Sequence, residues 1–185
     1  MSSTNIQNFP GDVQIRGTTF IKANTNTENV AIGTTAGEAS QGTYTTAVGS
    51  AAGSNSQGTN SVAVGRLAGT ASQGTNSVAV GVFAGSNAQG ESSVAVGNSV
   101  GRASQGAQSV AIGYLSGSNS QGATSVAIGS EAGRANQSAD NVAIGVKAGS
   151  NAQGTPSVAI GHSAASSSQG SRAVAIGFVA GKNSQ

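Results

Sequence analysis

The sequence has little of what usually marks disulfide-bonded, metal-binding or nucleic-acid-binding proteins. It contains no cysteine or tryptophan, and only 3% of its 185 residues are aromatic and 8% charged. Without cysteine the chain forms no disulfide and no thiolate metal site. The eight Lys and Arg residues exceed the six Asp and Glu residues by two. That surplus is too small for a basic nucleic-acid groove, and few aromatic rings are available for base stacking, so we expect no nucleic-acid partner.

Long apolar segments are also missing. The first ten residues lack the basic start and apolar stretch of a signal peptide. No apolar run approaches the roughly 20 residues that cross a bilayer. The longest, residues 78–85, includes two glycines. We therefore expect no membrane insertion.

Glycine, by contrast, is abundant, with 29 residues, and part of it recurs with a strict period. One glycine stands at every sixteenth position, and a glutamine follows eight residues after each. Ten such units run without insertion from residue 29 to residue 185, which predicts a repeat architecture. Because positive φ costs glycine little, we interpret the periodic glycines as turn residues. They are Gly33, Gly49, Gly65, Gly81, Gly97, Gly113, Gly129, Gly145, Gly161 and Gly177.

Each unit carries one short segment with strand alternation. Two aliphatic residues spaced by two, as in Val62 and Val64, flank a small residue. About three glycines per unit disfavour a helix. One sixteen-residue unit cannot bury an apolar face alone, whereas stacked copies can. The predicted fold is therefore all-β, a parallel β-roll or β-solenoid of ten coils over residues 29–185, about 45–50 Å long at the strand spacing of sheets.

The alternation predicts two opposite faces for each strand. We place the Val and Ile residues inside the coil, because their burial would stabilise the fold most. This predicted coil core comprises Val62, Val64, Val78, Val80, Val94, Val96, Val110, Ile112, Val126, Ile128, Val142, Ile144, Val158, Ile160, Val174 and Ile176.

The residue between the two aliphatics is alanine in all ten units, and this interpretation points it outward, with the preceding serines. A stripe kept this small favours the close approach of another chain along the rod, although alanine also tolerates plain exposure. The predicted trimer interface comprises Ala63, Ala79, Ala95, Ala111, Ala127, Ala143, Ala159 and Ala175.

The segments Asn60-Ser-Val-Ala-Val-Gly65 and Asn76-Ser-Val-Ala-Val-Gly81, with Ser-Val-Ala-Ile-Gly variants in later units, resemble the head repeats of trimeric autotransporter adhesins, the YadA-like heads. The resemblance covers residues 29–185. It implies a left-handed parallel β-roll assembled as a homotrimer around a three-fold axis. This unit has sixteen residues where the common head unit of that family has fourteen, and neither a heptad stalk nor a membrane-anchor segment is recognisable. Similar rolls occur in fibres and spikes of phages and large viruses.

Residues 1–28 lie outside the repeat and are interpreted as an N-terminal cap or attachment segment. Residues 12–16 and 18–22 alternate as two strands, with Phe9, Phe20 and Ile21 as candidate plugs for the first coil. An open strand edge at the other end invites pairing. We therefore expect another structural protein or another copy of the chain at one or both ends.

The back of each unit carries a second pattern. The position six residues after the turn glycine alternates between alanine, as in Ala39, and asparagine, as in Asn55, through most of the chain. Duplication of a two-unit block explains this, but asparagine adopting a left-handed conformation in alternate loops would do so too. The glutamine column predicts a ladder of side-chain amides along the rod.

Variable residues directly after the turn glycines are candidates for contact with a host-surface receptor, or else filler or trimer contacts. They are Arg66, Leu67, Val82, Phe83, Tyr114, Leu115, Glu131, Lys147, His162, Phe178 and Val179.

No motif supports catalysis, a cofactor or a metal. Gly97-Asn-Ser-Val-Gly101 matches the G-x-S-x-G pattern of hydrolases, but the repeat itself generates Gly-x-x-x-Gly. The single histidine, His162, belongs to a unit four coils away, about 19 Å at the spacing of stacked strands. We expect a non-enzymatic structural or adhesive protein. The predicted role is a fibre, spike or other appendage on a virion surface; the alternatives are a bacterial adhesin head on a cell surface and, less favoured, an ice-binding solenoid.

Overall fold

The computed structural model of the chain describes residues 13–15, 18–24 and 28–183. In these residues every regular element is a β-strand, and the strands form two sheets of twelve and eight strands. No helix in the described part of the chain is long and apolar enough to cross a membrane. The all-β solenoid predicted from the sixteen-residue period is confirmed; the front strands of the ten predicted units stack over nine steps, which gives about nine turns.

The front sheet contains the Val-Ala-Val and Val-Ala-Ile segments of successive units, stacked in parallel. Its repeat strands are Asn29–Ile32, Thr46–Val48, Val62–Val64, Val78–Val80, Val94–Asn98, Val110–Tyr114, Val126–Ile128, Asn141–Ile144, Ser157–Ile160 and Val174–Ile176. Equivalent residues pair across each step, for example Val94 with Val110 and Ala95 with Ala111. Like residues therefore form columns along the rod.

The back sheet is built from the segments that end in the periodic glutamine. Its strands are Ala39–Gln41, Asn55–Gln57, Ala71–Gln73, Asn87–Gln89, Ala103–Gln105, Asn119–Gln121, Ala135–Gln137 and Asn151–Gln153. Gln153 also forms an isolated parallel bridge with Gln169. Each of the first eight coils thus passes once through the front sheet and once through the back sheet.

An antiparallel hairpin precedes the first coil. Its strands are Val13–Ile15 and Thr18–Asn24, and the second pairs antiparallel with Asn29–Ile32. The hairpin therefore covers the front-sheet edge that the first coil would otherwise leave open. Phe9 lies outside the described residues, as do the side chains of Phe20 and Ile21.

The orientation predicted for the front strands is wrong. The alanine column points into the coil, with Ala63, Ala79, Ala95, Ala111, Ala127, Ala143 and Ala159 at 0% exposure and Ala175 at 2%. The serines before them, such as Ser61 and Ser77, are also buried. The aliphatic columns face outward instead. They consist of Val62, Val64, Val78, Val80, Val94, Val96, Val110, Ile112, Val126, Ile128, Val142, Ile144, Val158, Ile160, Val174 and Ile176.

The reason for the inversion is the small interior of the coil. Ala63 packs against the turn residue Gly69, where an added Cβ would lie 3.2 Å from the Ala63 Cβ and 2.6 Å from Gln73 Oε1. Gln73 reaches across the interior from the back sheet, and its Nε2 donates to the Val62 carbonyl oxygen over 2.8 Å. A coil of this width has no space for two valines, so alanine, serine and one glutamine fill it.

Eight of the ten periodic glycines directly follow a front strand, as predicted for turn residues, whereas Gly97 and Gly113 lie inside the strands Val94–Asn98 and Val110–Tyr114. All ten have φ between 124° and 132°, a region that side chains with a Cβ rarely adopt. They also stack directly on one another, since a Cβ on Gly81 would lie 2.1 Å from the Gly97 carbonyl oxygen. Both the dihedral angle and the close stacking therefore require glycine.

The glutamine ladder forms over part of the rod. Gln137 Nε2 donates to Gln153 Oε1 over 3.3 Å, and Gln153 Nε2 donates to Gln169 Oε1 over 3.1 Å. Gln137 and Gln153 also donate to the front-strand carbonyls of Val126 and Val142, as the buried glutamines of the earlier coils do to theirs. In those earlier coils the glutamine Oε1 has no partner within the described residues.

The proposed alternation of loop conformation is wrong. The left-handed residue of the back strand is the one after the alternating position, in adjacent coils alike: Ser56 has φ 54° and Ser72 has φ 54°. Neither Ala39 nor Asn55 adopts positive φ. The asparagines alternate in sequence without alternating the backbone.

Candidate assembly and binding surfaces

The outer face of the front sheet is an apolar ladder two residues wide. Its valines and isoleucines are half-buried by their neighbours above and below, and several stay well exposed, with Val30 at 45% and Ile112 at 36%. Over nine steps the ladder extends about 43 Å at the usual strand spacing. A continuous apolar surface of this kind marks a protein interface more often than a solvated face.

The outer face of the back sheet is different in composition. Its outward residues are small or polar, such as Ser56, Ser72, Ala88 and Ser104, and the large glutamine of each strand points inward. These short polar side chains are compatible with water. The two sheets therefore give the rod one apolar side and one polar, solvated side.

Two corners join the sheets, and most charged side chains lie on them. The leading corner follows each front strand, as residues 65–70 do, and the return corner follows each back strand, as residues 74–77 do. Between residues 28 and 183 the leading corner carries five cations and two acids, a formal sum of +3. These are Arg66, Arg102, Arg134, Lys147, Lys182, Glu38 and Glu131.

The return corner has the opposite sign. Over the same residues it carries Glu28, Glu91, Asp140 and Arg172, a formal sum of −2. The overall net charge of +2 conceals this separation. The charge of the rod is therefore organised by position on the coil.

Phe83 holds two guanidinium groups in the middle of the leading corner. The Cζ atoms of Arg66 and Arg102 lie 4.9 and 5.4 Å from the centre of its ring. A cavity of about 140 Å³ next to the ring is lined by Thr70, Ser86 and Arg102, among others. The cation–π contacts restrain both arginines without neutralising their charge.

A polar groove of about 370 Å³ lies further along the same corner. Arg134, Lys147 and Lys182 line it together with Glu131, Asn151 and four serines. Arg134 Nη1 lies 3.0 Å from Glu131 Oε2, which is the one ion pair among the described side chains. The groove therefore keeps two lysines that have no acidic partner in that part of the chain.

The variable residues singled out in the sequence all lie on this leading corner. The structure brings Arg66 and Phe83 into contact and stacks His162 on Phe178, with ring centres 5.4 Å apart. It places Glu131 and Lys147 together in the groove.

Three cations of the corner were missed by the sequence reasoning. Arg102, Arg134 and Lys182 stand five residues after the turn glycine, beside the back strand. That position holds serine in the units of Ser54 and Ser86, so the recurrence of cations there was the available signal.

The hydrolase-like motif and the single histidine can now be placed in the coil. Within residues 28–183 no three His, Asp or Glu side chains are grouped to hold a metal ion. Ser99 and His162 belong to coils that are four steps apart. His162 Nδ1 instead lies 3.1 Å from the hydroxyl of Ser163.

Comparison with known proteins gives one match. The family model described as the YadA head domain repeat matches four segments, residues 40–68, 72–99, 104–132 and 152–180. Together these segments cover more than half of the chain. No curated protein and no solved structure matches.

Proposed function

The chain belongs to the family of YadA head domain repeats, and from this premise we propose that it is a homotrimeric β-roll serving as the shaft or head of an extended surface appendage. The family and the solenoid together suggest an adhesin-type fibre or head domain at a cell surface or outside the cell. The apolar outer face of the front sheet carries the proposal.

The trimer is supported by the dimensions of that face. The ladder is narrow, two side chains wide, and runs the whole length of the rod. Three such ladders turned toward a common axis would bury each other without opening the coils. The interface proposed is therefore the Val and Ile columns, in place of the alanine column expected from the sequence.

We propose a mechanical role for the chain and no catalytic one. The coil-to-coil pairing continues through both sheets and the corners, as in the bonds from Gly81 N to the Val64 carbonyl and from Asn76 N to the Thr59 carbonyl. A ladder hydrogen-bonded on all sides resists bending. Stiffness and display of the corner residues are what this architecture supplies.

For the owner of the appendage we propose a phage or virus particle, as a fibre, spike or other virion protein. The sixteen-residue unit supports this, since the bacterial heads it resembles commonly use fourteen. The alternative is the head of a bacterial trimeric adhesin. The full gene and its neighbours distinguish the two. Capsid or tail genes alongside support the virion, whereas an export signal with a membrane-anchor barrel in the same gene overturns it.

A pair of aspartate substitutions tests the trimer. Ile112→Asp places a charge on the front face of each chain, and Ser104→Asp places the same charge on the exposed back face. Burying three unpaired carboxylates around one axis is strongly unfavourable. We expect Ile112→Asp to release single chains and Ser104→Asp to leave the assembly intact, measured by light scattering. Equal masses for both variants would contradict the proposed interface.

A further inference from the structure

We propose that the leading corner of the rod is a binding surface for a linear acidic polysaccharide, a chain in which carboxylate- or sulfate-bearing sugars alternate with neutral ones. The inference deepens the display role proposed above by naming the chemistry of the partner. It starts from the separation of charge between the two corners, +3 on the leading corner and −2 on the return corner over residues 28–183.

The cations of this corner are spaced along the rod. Arg66 lies on the third coil, Arg102 on the fifth, Arg134 on the seventh, Lys147 on the eighth and Lys182 on the tenth. A step of two coils is about 10 Å and the full series about 34 Å at the usual strand spacing. A ligand that matches it is long, straight and charged at intervals.

The surface between the cations suits sugar rings. The groove beside Arg134 is lined by four serines and Asn151, whose hydroxyl and amide groups can donate to and accept from sugar hydroxyls. Tyr114, on the coil between those of Arg102 and Arg134, is 53% exposed and offers an aromatic face for the apolar side of a sugar. Charged and neutral contacts therefore lie side by side along the corner.

Part of the surface is already organised for an anion. The guanidinium groups of Arg66 and Arg102 both contact the ring of Phe83, which restrains them. Restrained side chains lose less entropy when they bind. Lys147 and Lys182 have no acidic partner within the described residues and remain available for an added anion.

A nucleic acid fits the same spacing less well. Phosphates follow one another every ~3.4 Å along each strand of a duplex, so five cations spread over about 34 Å would leave most of them unpaired. Strong binding of single strands also relies on several stacking aromatics. The ring of Phe83 is already covered by arginine. The saccharide is therefore the partner that the observations favour.

The test is a binding titration of the full chain with a fluorescein-labelled hyaluronan oligosaccharide, in which a carboxylate-bearing sugar alternates with a neutral one, with neutral dextran and single-stranded oligothymidine as competitors. The triple variant Arg102→Gln/Arg134→Gln/Lys182→Gln removes three exposed cations from the leading corner. The matched control, Arg172→Gln, removes an exposed cation from the return corner. Circular dichroism checks that both variants keep the β-roll.

We expect the triple variant to bind the oligosaccharide about tenfold or more weakly, because each exposed ion pair contributes modestly and three are lost. The control should bind like the unaltered chain, and dextran should not compete. Equal losses in both variants, no binding by the unaltered chain, or tighter binding of oligothymidine would each overturn the inference.

Light scattering on the same samples separates this inference from the trimer. If the protein is a single chain that binds the oligosaccharide through the leading corner, the proposed trimer is wrong and the proposed polysaccharide surface stands. If the protein is a trimer whose affinity for the oligosaccharide does not depend on Arg102, Arg134 and Lys182, the proposed assembly stands and the proposed polysaccharide surface is wrong.

Discussion

The front and back sheets use the same sixteen-residue period for opposite purposes. In the front sheet the small residue of each strand points inward and the large aliphatic residues point outward. In the back sheet the large residue, glutamine, points inward and the small polar residues point outward. A narrow coil has room for one long side chain per layer, and the back sheet supplies it. The front sheet is thereby left with its apolar side chains on the surface, ready to pack against other copies.

The most direct test of this comparison is to place leucine on the inner face and, separately, on the outer face of one front strand. Ala111 is fully buried against Gly117, where an added Cβ would lie 3.3 Å from the Ala111 Cβ. Ala111→Leu should lower the free energy of unfolding by about 3 kcal/mol or more, since nothing in the interior can move aside. The control Ile112→Leu, on the outer face, should cost less than about 1.5 kcal/mol. Urea denaturation measures both, and a reversed order would restore the orientation first expected from the sequence.

The stacking of coils can be separated from backbone strain by two neighbouring glycines. Gly161 and Gly177 have φ of 126° and 124°. A Cβ added at Gly161 would lie 2.4 Å from the carbonyl oxygen of Gly177. A Cβ added at Gly177 would lie 3.9 Å from its nearest neighbour. Strain alone should cost about 1–3 kcal/mol at either position. We expect Gly161→Ala to lower the free energy of unfolding by about 2 kcal/mol more than Gly177→Ala does, because the backbones of two stacked coils must move apart to admit the methyl group.

Thermal unfolding of these two alanine variants decides the point. Equal losses would mean that the dihedral angle alone requires glycine. The tight packing of one coil on the next would then contribute little to stability.

The back sheet offers a smaller contrast between two buried glutamines. Both donate to a front-strand carbonyl oxygen, Gln153 to that of Val142 and Gln105 to that of Val94. Gln153 in addition accepts from Gln137 and donates to Gln169, whereas Gln105 Oε1 has no partner within the described residues. Gln153→Met removes one hydrogen bond from each of the buried amides of Gln137 and Gln169, and it should lower the free energy of unfolding by about 1–3 kcal/mol. Gln105→Met also removes an unpartnered oxygen, so its cost should be about 1 kcal/mol or less. Chemical denaturation compares them; a larger loss at Gln105 would contradict the ladder.

The period was enough to predict the stacking, because an uninterrupted spacing such as Gly81 to Gly97 leaves one register for parallel pairing. It was not enough to orient the strands. Alternation around Ala95 is the same whichever face is buried, and the choice depends on the width of the coil. Width is set by the sharp turn at Gly101 and by the reach of Gln105 across the interior. None of these is visible in a single strand.

The invariant alanine column correctly indicated that another segment of backbone lies close by. The prediction that this segment belongs to another chain is wrong. The backbone that approaches Ala111 is that of Gly117 in the same coil. The charge pattern of the corners was likewise hidden, because Arg102 and Arg134 are 32 residues apart in sequence and two layers apart in space. Only the folded coil aligns them.

The mass of the unaltered chain in solution tests the central claim most directly, which is that the outward aliphatic columns join three copies. A single chain weighs 17.6 kDa. Light scattering should give three times that value at micromolar concentration, with no smaller species. A particle of one chain that stays dissolved with its front face open to water would contradict the account.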